Sequence, residues 1–296
     1  MNKSIPIGKR AYLFIVGIVV LALCLWFIAP PFSFPVGSIV TMPEDTGLYR
    51  LAEKLQEEKV IRSSFWFRAF AILLGGERDM KAGQYYMSRP ENTFIIAWRV
   101  FHGDHDIEMV KLTIPEGFTS AKISALFDDR FPFFDHSDFM TQAPEGYLFP
   151  DTYFTPVTAT VSSTLKLFGD NFDRKVLPSM LDIEHSKKTL REIIIMASLL
   201  EAEAKTKEDR EMASDILWKR LKLGMPLQVD SEMGTYEFVG LPENPINNPG
   251  LVSIEAAIHP TSTPYLYFLT GDDGTMHYSR TFDEHVAKKL KYIKRQ

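Results

Sequence analysis

Two glutamates, Glu201 and Glu203, close an apolar stretch that runs Ile193-Ile194-Ile195-Met196-Ala197-Ser198-Leu199-Leu200. Apolar surroundings disfavour the charged form of a carboxyl group and keep a proton available near neutral pH, which suits general acid–base work. Thr189 and Glu192 form a capping-box pair just upstream, and eight consecutive uncharged residues imply a helix buried nearly all round. Residues two apart on such a helix point about 200° away from each other, so one cleft receives only one of the two glutamates. Glu203 falls beside Met196, Leu199 and Leu200, and Glu201 near Ile194, Ala197 and Ser198. The more apolar flank favours Glu203 as the acid. On periodicity alone, however, the commoner explanation is that both glutamates mark the point where a buried helix reaches solvent.

Other polar residues could complete a site. Gln228 and Asp230 alternate along an extended segment and so project to one side, where they would hydrogen-bond a ligand, although turn-forming polarity explains them equally well. The run from Pro144 to Tyr153 is too rich in Pro, Gly and aromatics for a regular element, and loops of that makeup often line sites. The elements that position these groups read as α+β. Ile39-Val40-Thr41 is a strand, Thr46 to Lys59 a helix with Leu48, Leu51, Ala52 and Leu55 on one face, and Ser63 to Leu74 a second helix. A strand at 82–87 and a helix at 93–101 complete a unit of about 70 residues, small enough to need support. Beyond it come a strand at 108–114, helices at 162–181 and from Thr189, and a helix begun by Thr206 with Asp209 and ended by Gly224. A hairpin turning at Gly271-Asp272-Asp273-Gly274 and a last helix capped by Thr281 and Glu284 follow.

The 296 residues carry 38 acidic and 33 basic side chains, a net charge of −5, with no basic block to track a phosphate backbone, so nucleic acid is not an expected partner. A single cysteine, Cys24, excludes an intrachain disulfide or a cysteine metal cluster. His102-Gly103-Asp104-His105-Asp106 has metal-ligand residue types but no partnering motif and reads as a solvated loop. Neither a metal nor a cofactor is expected. From Ala11 to Ala29 there are 19 residues without a charge, preceded by Lys3, Lys9 and Arg10, which reads as one membrane-spanning helix with the N-terminus inside. The expected organisation is a cytoplasmic N-terminus (1–10), a transmembrane helix (11–30), a small subdomain (36–107) and a larger mixed α+β domain (108–296) placed outside the membrane.

Several long motifs in fixed order make the chain resemble the YceG-like endolytic murein transglycosylases. They are Ile114-Pro115-Glu116-Gly117, Glu145-Gly146-Tyr147-Leu148-Phe149-Pro150-Asp151-Thr152-Tyr153, Ala197 to Ala204, Arg220 to Asp230, Asn248-Pro249-Gly250-Leu251, and His259-Pro260 running into Thr263 to Phe268. The resemblance implies that the second glutamate of the pair, Glu203, is catalytic and that the small subdomain is LysM-like, a fold associated with glycan binding. It implies cleavage of the β-1,4 bond between N-acetylmuramic acid and N-acetylglucosamine, leaving a 1,6-anhydro end. Peptidoglycan strands and the cytoplasmic membrane would be its partners, together with peptidoglycan synthases. Within that frame Gln228 and Asp230 would bind sugar, Glu201 would orient neighbours, and Glu145 and Asp151 would line the groove. Asn248 would hold the loop opposite the acid. Tyr147, Tyr153, Tyr236 and Tyr265 are candidates to stack on sugar rings, or to be core. One departure stands out: where relatives commonly carry Tyr-Asn-Thr-Tyr this chain has Met233-Gly234-Thr235-Tyr236, in a shortened segment. A hydrolase that adds water, or a membrane-tethered glycan-binding scaffold without activity, are the competing readings.

Overall fold

A computed structural model describes residues 7–43, 46–75 and 80–293, and the chain divides between Glu108 and Met109 into two compact units. The first contains α1 (Ile7–Ile28), β1 (Ile39–Met42), α2 (Leu48–Glu57), α3 (Ser64–Leu74), β2 (Gly83–Tyr86) and α4 (Thr93–His102). Strands β1 and β2 pair antiparallel, with Ile39 opposite Tyr86. Leu48, Leu51, Ala52 and Leu55 recur at helical spacing and bury one face of α2 in a core shared with Phe67 and Ala71 of α3, which packs in turn on α4 with Ile96, Ala97 and Val100. Asn92 caps α4 by accepting the Ile95 N–H at 3.0 Å, and Gly103, at φ 67°, ends it.

The expected membrane span is not realised. Helix α1 forms, but among the described residues no helix is long and apolar enough to cross a membrane. Lys9 and Arg10 lie within its opening turn, so the charged start belongs to the helix itself and shortens the apolar part that could sit in a hydrocarbon core. The single-pass transmembrane part of the expected architecture is therefore corrected, while the α+β character stands.

The second unit contains β3 (Met109–Thr113), α5 (Ser120–Ser124), α6 (His136–Gln142), β4 (Thr152–Pro156), α7 (Val161–Val176), α8 (Met180–His185) and α9 (Leu190–Glu203). It continues with α10 (Lys207–Lys222), α11 (Leu251–Ile258), β5 (Tyr267–Thr270), β6 (Met276–Ser279) and α12 (Phe282–Tyr292). Strand β3 pairs antiparallel with β4, and β5 with β6 through the expected glycine turn, closed by the Gly271 N–H to the Thr275 carbonyl at 2.9 Å. The centre is α9. Thr189 and Glu192 form the reciprocal capping box at its start, and every residue from Ile193 to Leu200 is buried, packed with α10 and α11. Each large aliphatic side chain so placed contributes ~1.5–3 kcal/mol, which fixes the helix and therefore the two glutamates at its end.

Within the first unit, Arg99 and Glu91 form an ion pair at 2.8 Å with both side chains at least 95% buried, and Arg99 also donates to the Tyr86 carbonyl at 2.8 Å. Glu91→Ala strands that guanidinium. The variant is expected to lose about 3 kcal/mol or more, read as a fall in denaturant midpoint for the first unit; an unchanged midpoint would contradict it.

Candidate active site

Where α9 ends, its two glutamates part. Ala204 leaves helical geometry, and the chain turns at once into α10, whose first turn brings Arg210 back against α9. Arg210 donates from Nε to the Ala204 carbonyl at 3.0 Å and pairs with Glu201 Oε1 at 2.7 Å. Glu201 Oε2 accepts from the Gly250 N–H at 3.0 Å and the Ser253 hydroxyl at 2.8 Å. With its side chain 6% exposed and both oxygens engaged, Glu201 joins α9 to α10 and to the start of α11. The space is tight: a Cβ at Gly250 would lie 2.0 Å from Glu116 Oε1. Burial first and the Glu201 charge second push the Glu116 carboxyl upward, against the opposing pull of Arg210.

Glu203 points the other way, into a cavity of about 280 Å³ that it shares with Gln228, Asp230 and Tyr236. Its Oε1 accepts the Ser231 N–H at 3.0 Å. Asp230 Oδ1 accepts the Tyr236 hydroxyl at 2.5 Å. That bond, burial and the charges of Asp230 and Glu203 push the phenol to about 12, so it stays a donor throughout the physiological range. The expectation that an apolar flank singles out Glu203 is corrected: the more deeply buried carboxylate is Glu201, held by a cation, whereas Glu203 is the accessible one.

The Gln228–Asp230 segment is not extended. Gln228 has φ +52°, a left-handed conformation uncommon for a long side chain. The chain turns there because residues 228–236 close on themselves: the Gln228 N–H donates to the Thr235 carbonyl at 3.1 Å and the Val229 N–H to the buried Thr235 hydroxyl at 3.0 Å. The Gln228 and Asp230 side chains still reach the cavity, with Val229 buried between them. Gly234 donates its N–H to Glu232, and a Cβ there would come within 3.1 Å of Glu232 Oε1 and the Phe238 ring, so an asparagine would crowd this loop.

The remaining expected site residues lie apart from this cavity. Asn248 is fully buried; its Oδ1 accepts the N–H groups of Gly146 (2.9 Å) and Leu148 (2.8 Å), and its Nδ2 donates to the Phe118 carbonyl (3.0 Å) and Glu145 (2.8 Å). Glu145 also accepts the Ser120 N–H, at 2.9 Å to Oε2. Both hold the aromatic loop. Tyr147 packs on Phe172, and Asp151 accepts from Asn171, which also donates to the buried Tyr153 hydroxyl. Tyr265 stacks on Tyr278. Conversely, Arg220, Tyr267, Phe282, His285 and Lys289 line the cavity, although sequence reasoning named none of them as a site residue. A signal existed for Arg220, an arginine on the stripe of α10 that buries Ala213 and Leu217. No group of three or more His, Cys, Asp and Glu fit to hold a metal ion occurs among the described residues.

The YceG-like family profile matches residues 40–234 and 229–291, two segments that overlap within the 228–236 loop. A Bacillus subtilis (strain 168) protein named endolytic murein transglycosylase is 27% identical over 305 residues, covering 86% of this chain and 84% of its own length. A Streptococcus pneumoniae serotype 2 (strain D39 / NCTC 7466) protein of the same name is 24% identical over 320 residues, and this chain spans only 58% of that relative. The crystal structure of a putative yceG-like protein from Listeria monocytogenes aligns with a TM-score of 0.57 at 25% identity, over 85% of this chain and 99% of that one.

Asn248→Ala removes four hydrogen bonds at once, two of them buried. A stability loss of roughly 3 kcal/mol or more is expected, with a fall in Tm; an unaltered Tm would show that the loop is held by other means.

Proposed function

This chain belongs to the YceG-like family, and on that footing we propose that it is an endolytic peptidoglycan lytic transglycosylase with Glu203 as its one general acid and base. The observation that supports this choice is the division of labour at the end of α9: Glu201 is saturated by Arg210, Gly250 and Ser253, whereas Glu203 lines the cavity. The bond to be cut is the β-1,4 linkage between N-acetylmuramic acid and N-acetylglucosamine. Glu203 gives its proton to the bridging oxygen as the bond from muramyl C1 breaks, and the N-acetylglucosamine side departs as an alcohol. The muramyl 6-hydroxyl then bonds to C1 and returns its proton to Glu203, closing the 1,6-anhydro ring. No water is consumed, and one carboxyl group suffices.

The Ser231 N–H holds one oxygen of Glu203, which orients the carboxyl group. Gln228 and Asp230 offer an amide and a carboxylate to sugar hydroxyl and N-acetyl groups, and Tyr236 fixes Asp230. Tyr267 and Phe282 supply aromatic surface for a sugar face. In this reading the first unit contributes a LysM-like glycan contact. The substrate is the glycan strand outside the cytoplasmic membrane, near the synthases that extend it.

Digestion of purified glycan strands by the wild type and by Glu203→Gln, followed by mass spectrometry of the products, tests the proposal. Wild type is expected to yield anhydro ends, and Glu203→Gln to lose about a hundredfold or more in rate. Products heavier by one water would identify a hydrolase, and inactivity of both proteins a binding scaffold; either result overturns the assignment.

A further inference from the structure

Among the described residues three arginines are at least nine-tenths buried, and two of them have a glutamate partner. Arg99 pairs with Glu91 and Arg210 with Glu201. Arg220 is only 5% exposed, yet it forms no ion pair with Glu203, Asp230 or any other described carboxylate. Its hydrogen bond to a neutral acceptor, Gln228 Oε1 at 2.6 Å, satisfies one nitrogen, and its guanidinium lies 5.3 Å from the Tyr267 ring centre. Its Nε is buried without a hydrogen-bond partner. A second buried nitrogen without a partner, Nδ1 of His285, belongs to the same cavity, and the exposed ammonium of Lys289 borders it one turn further along α12. Burying a guanidinium costs several kcal/mol unless an anion compensates it. The cavity thus has an acidic side, Glu203 and Asp230, and a cationic side that no described carboxylate neutralises.

We propose that Arg220, His285 and Lys289 form a subsite for a carboxylate carried by the muramyl side of the substrate, placed beside the acid that cuts the strand. The inference rests on the function proposed above and adds what the cavity recognises. Two sources supply that chemistry: the free lactyl carboxylate of a muramyl residue without a peptide, or a carboxylate of the attached peptide. Recognition of this kind separates muramyl strands from polymers of N-acetylglucosamine, which share the linkage and the N-acetyl groups but carry no acid. Burial, then the charges of Lys289 and Arg220, lower the His285 imidazole below its usual range; the charge of a bound carboxylate offsets the two cations and raises it.

The test is an NMR titration of His285 in the full chain, assigned with His285→Asn, in the presence of N-acetylmuramic acid, N-acetylglucosamine or muramyl dipeptide. N-acetylmuramic acid is expected to bind about tenfold more tightly than N-acetylglucosamine, as a charge-assisted contact implies, and to move the His285 midpoint upward. A response to N-acetylmuramic acid but not to the dipeptide identifies the lactyl group as the source, and the reverse identifies the peptide. Arg220→Gln and Lys289→Met should each narrow the preference between the two sugars. The wild-type titration stands even if Arg220→Gln fails to fold. Equal binding of the two sugars and the dipeptide, with no movement of His285 by any of the three, would overturn the subsite, and if Glu203→Gln still abolished strand cleavage, the proposed activity would survive that failure.

Discussion

The ion pair between Glu201 and Arg210 is the constraint from which the arrangement of the second unit follows. It joins the end of α9 to the start of α10 and, through Gly250 and Ser253, to α11, so three helices share one carboxylate. Buried pairs of this kind add little net stability, but breaking one is costly, and that asymmetry makes them effective at specifying a single arrangement. Here the arrangement specified is an orientation. With Glu201 turned inward, helical geometry leaves Glu203, two residues on, facing outward.

On the outward side, positioning passes from helices to a short loop. Residues 228–236 have no regular element beyond one turn of 3-10 helix at Met233–Tyr236, yet Thr235 knits them into a closed ring through bonds to Gln228, Val229 and Glu232. That ring carries Gln228, Asp230 and Tyr236, while Ser231 within it contacts Glu203 directly. A self-contained loop explains how polar side chains stay ordered where neither α9 nor α10 can reach, and Arg220 ties it to the helical core through Gln228.

Much of this was legible in the sequence because it rests on local rules. The capping boxes and hydroxyl caps at Thr189, Thr206 and Thr281, the buried run 193–200 and the glycine hairpin turn all occur where residue types place them. The orientation of the glutamate pair was readable too, since it follows from helix geometry alone. Three matters were not. Membrane crossing was read from a hydropathic run without weighing where its charged start falls within the helix. Glu145 and Asp151 take their places from Asn248 and Asn171, neighbours that only the fold brings to them, so a polar residue in an aromatic loop could not be sorted into scaffold or groove. The basic side of the cavity comes from α10 and α12, which are distant in sequence and meet only in the folded unit.

The left-handed backbone at Gln228 carries an evolutionary implication. Glycine would relieve that conformation, but it would take away the amide that accepts from buried Arg220 and faces the cavity, a loss that outweighs the strain removed. Selection for a sturdy protein and selection for a working pocket therefore hold this one codon in place together, and the uncommon backbone persists because the side chain it carries serves both.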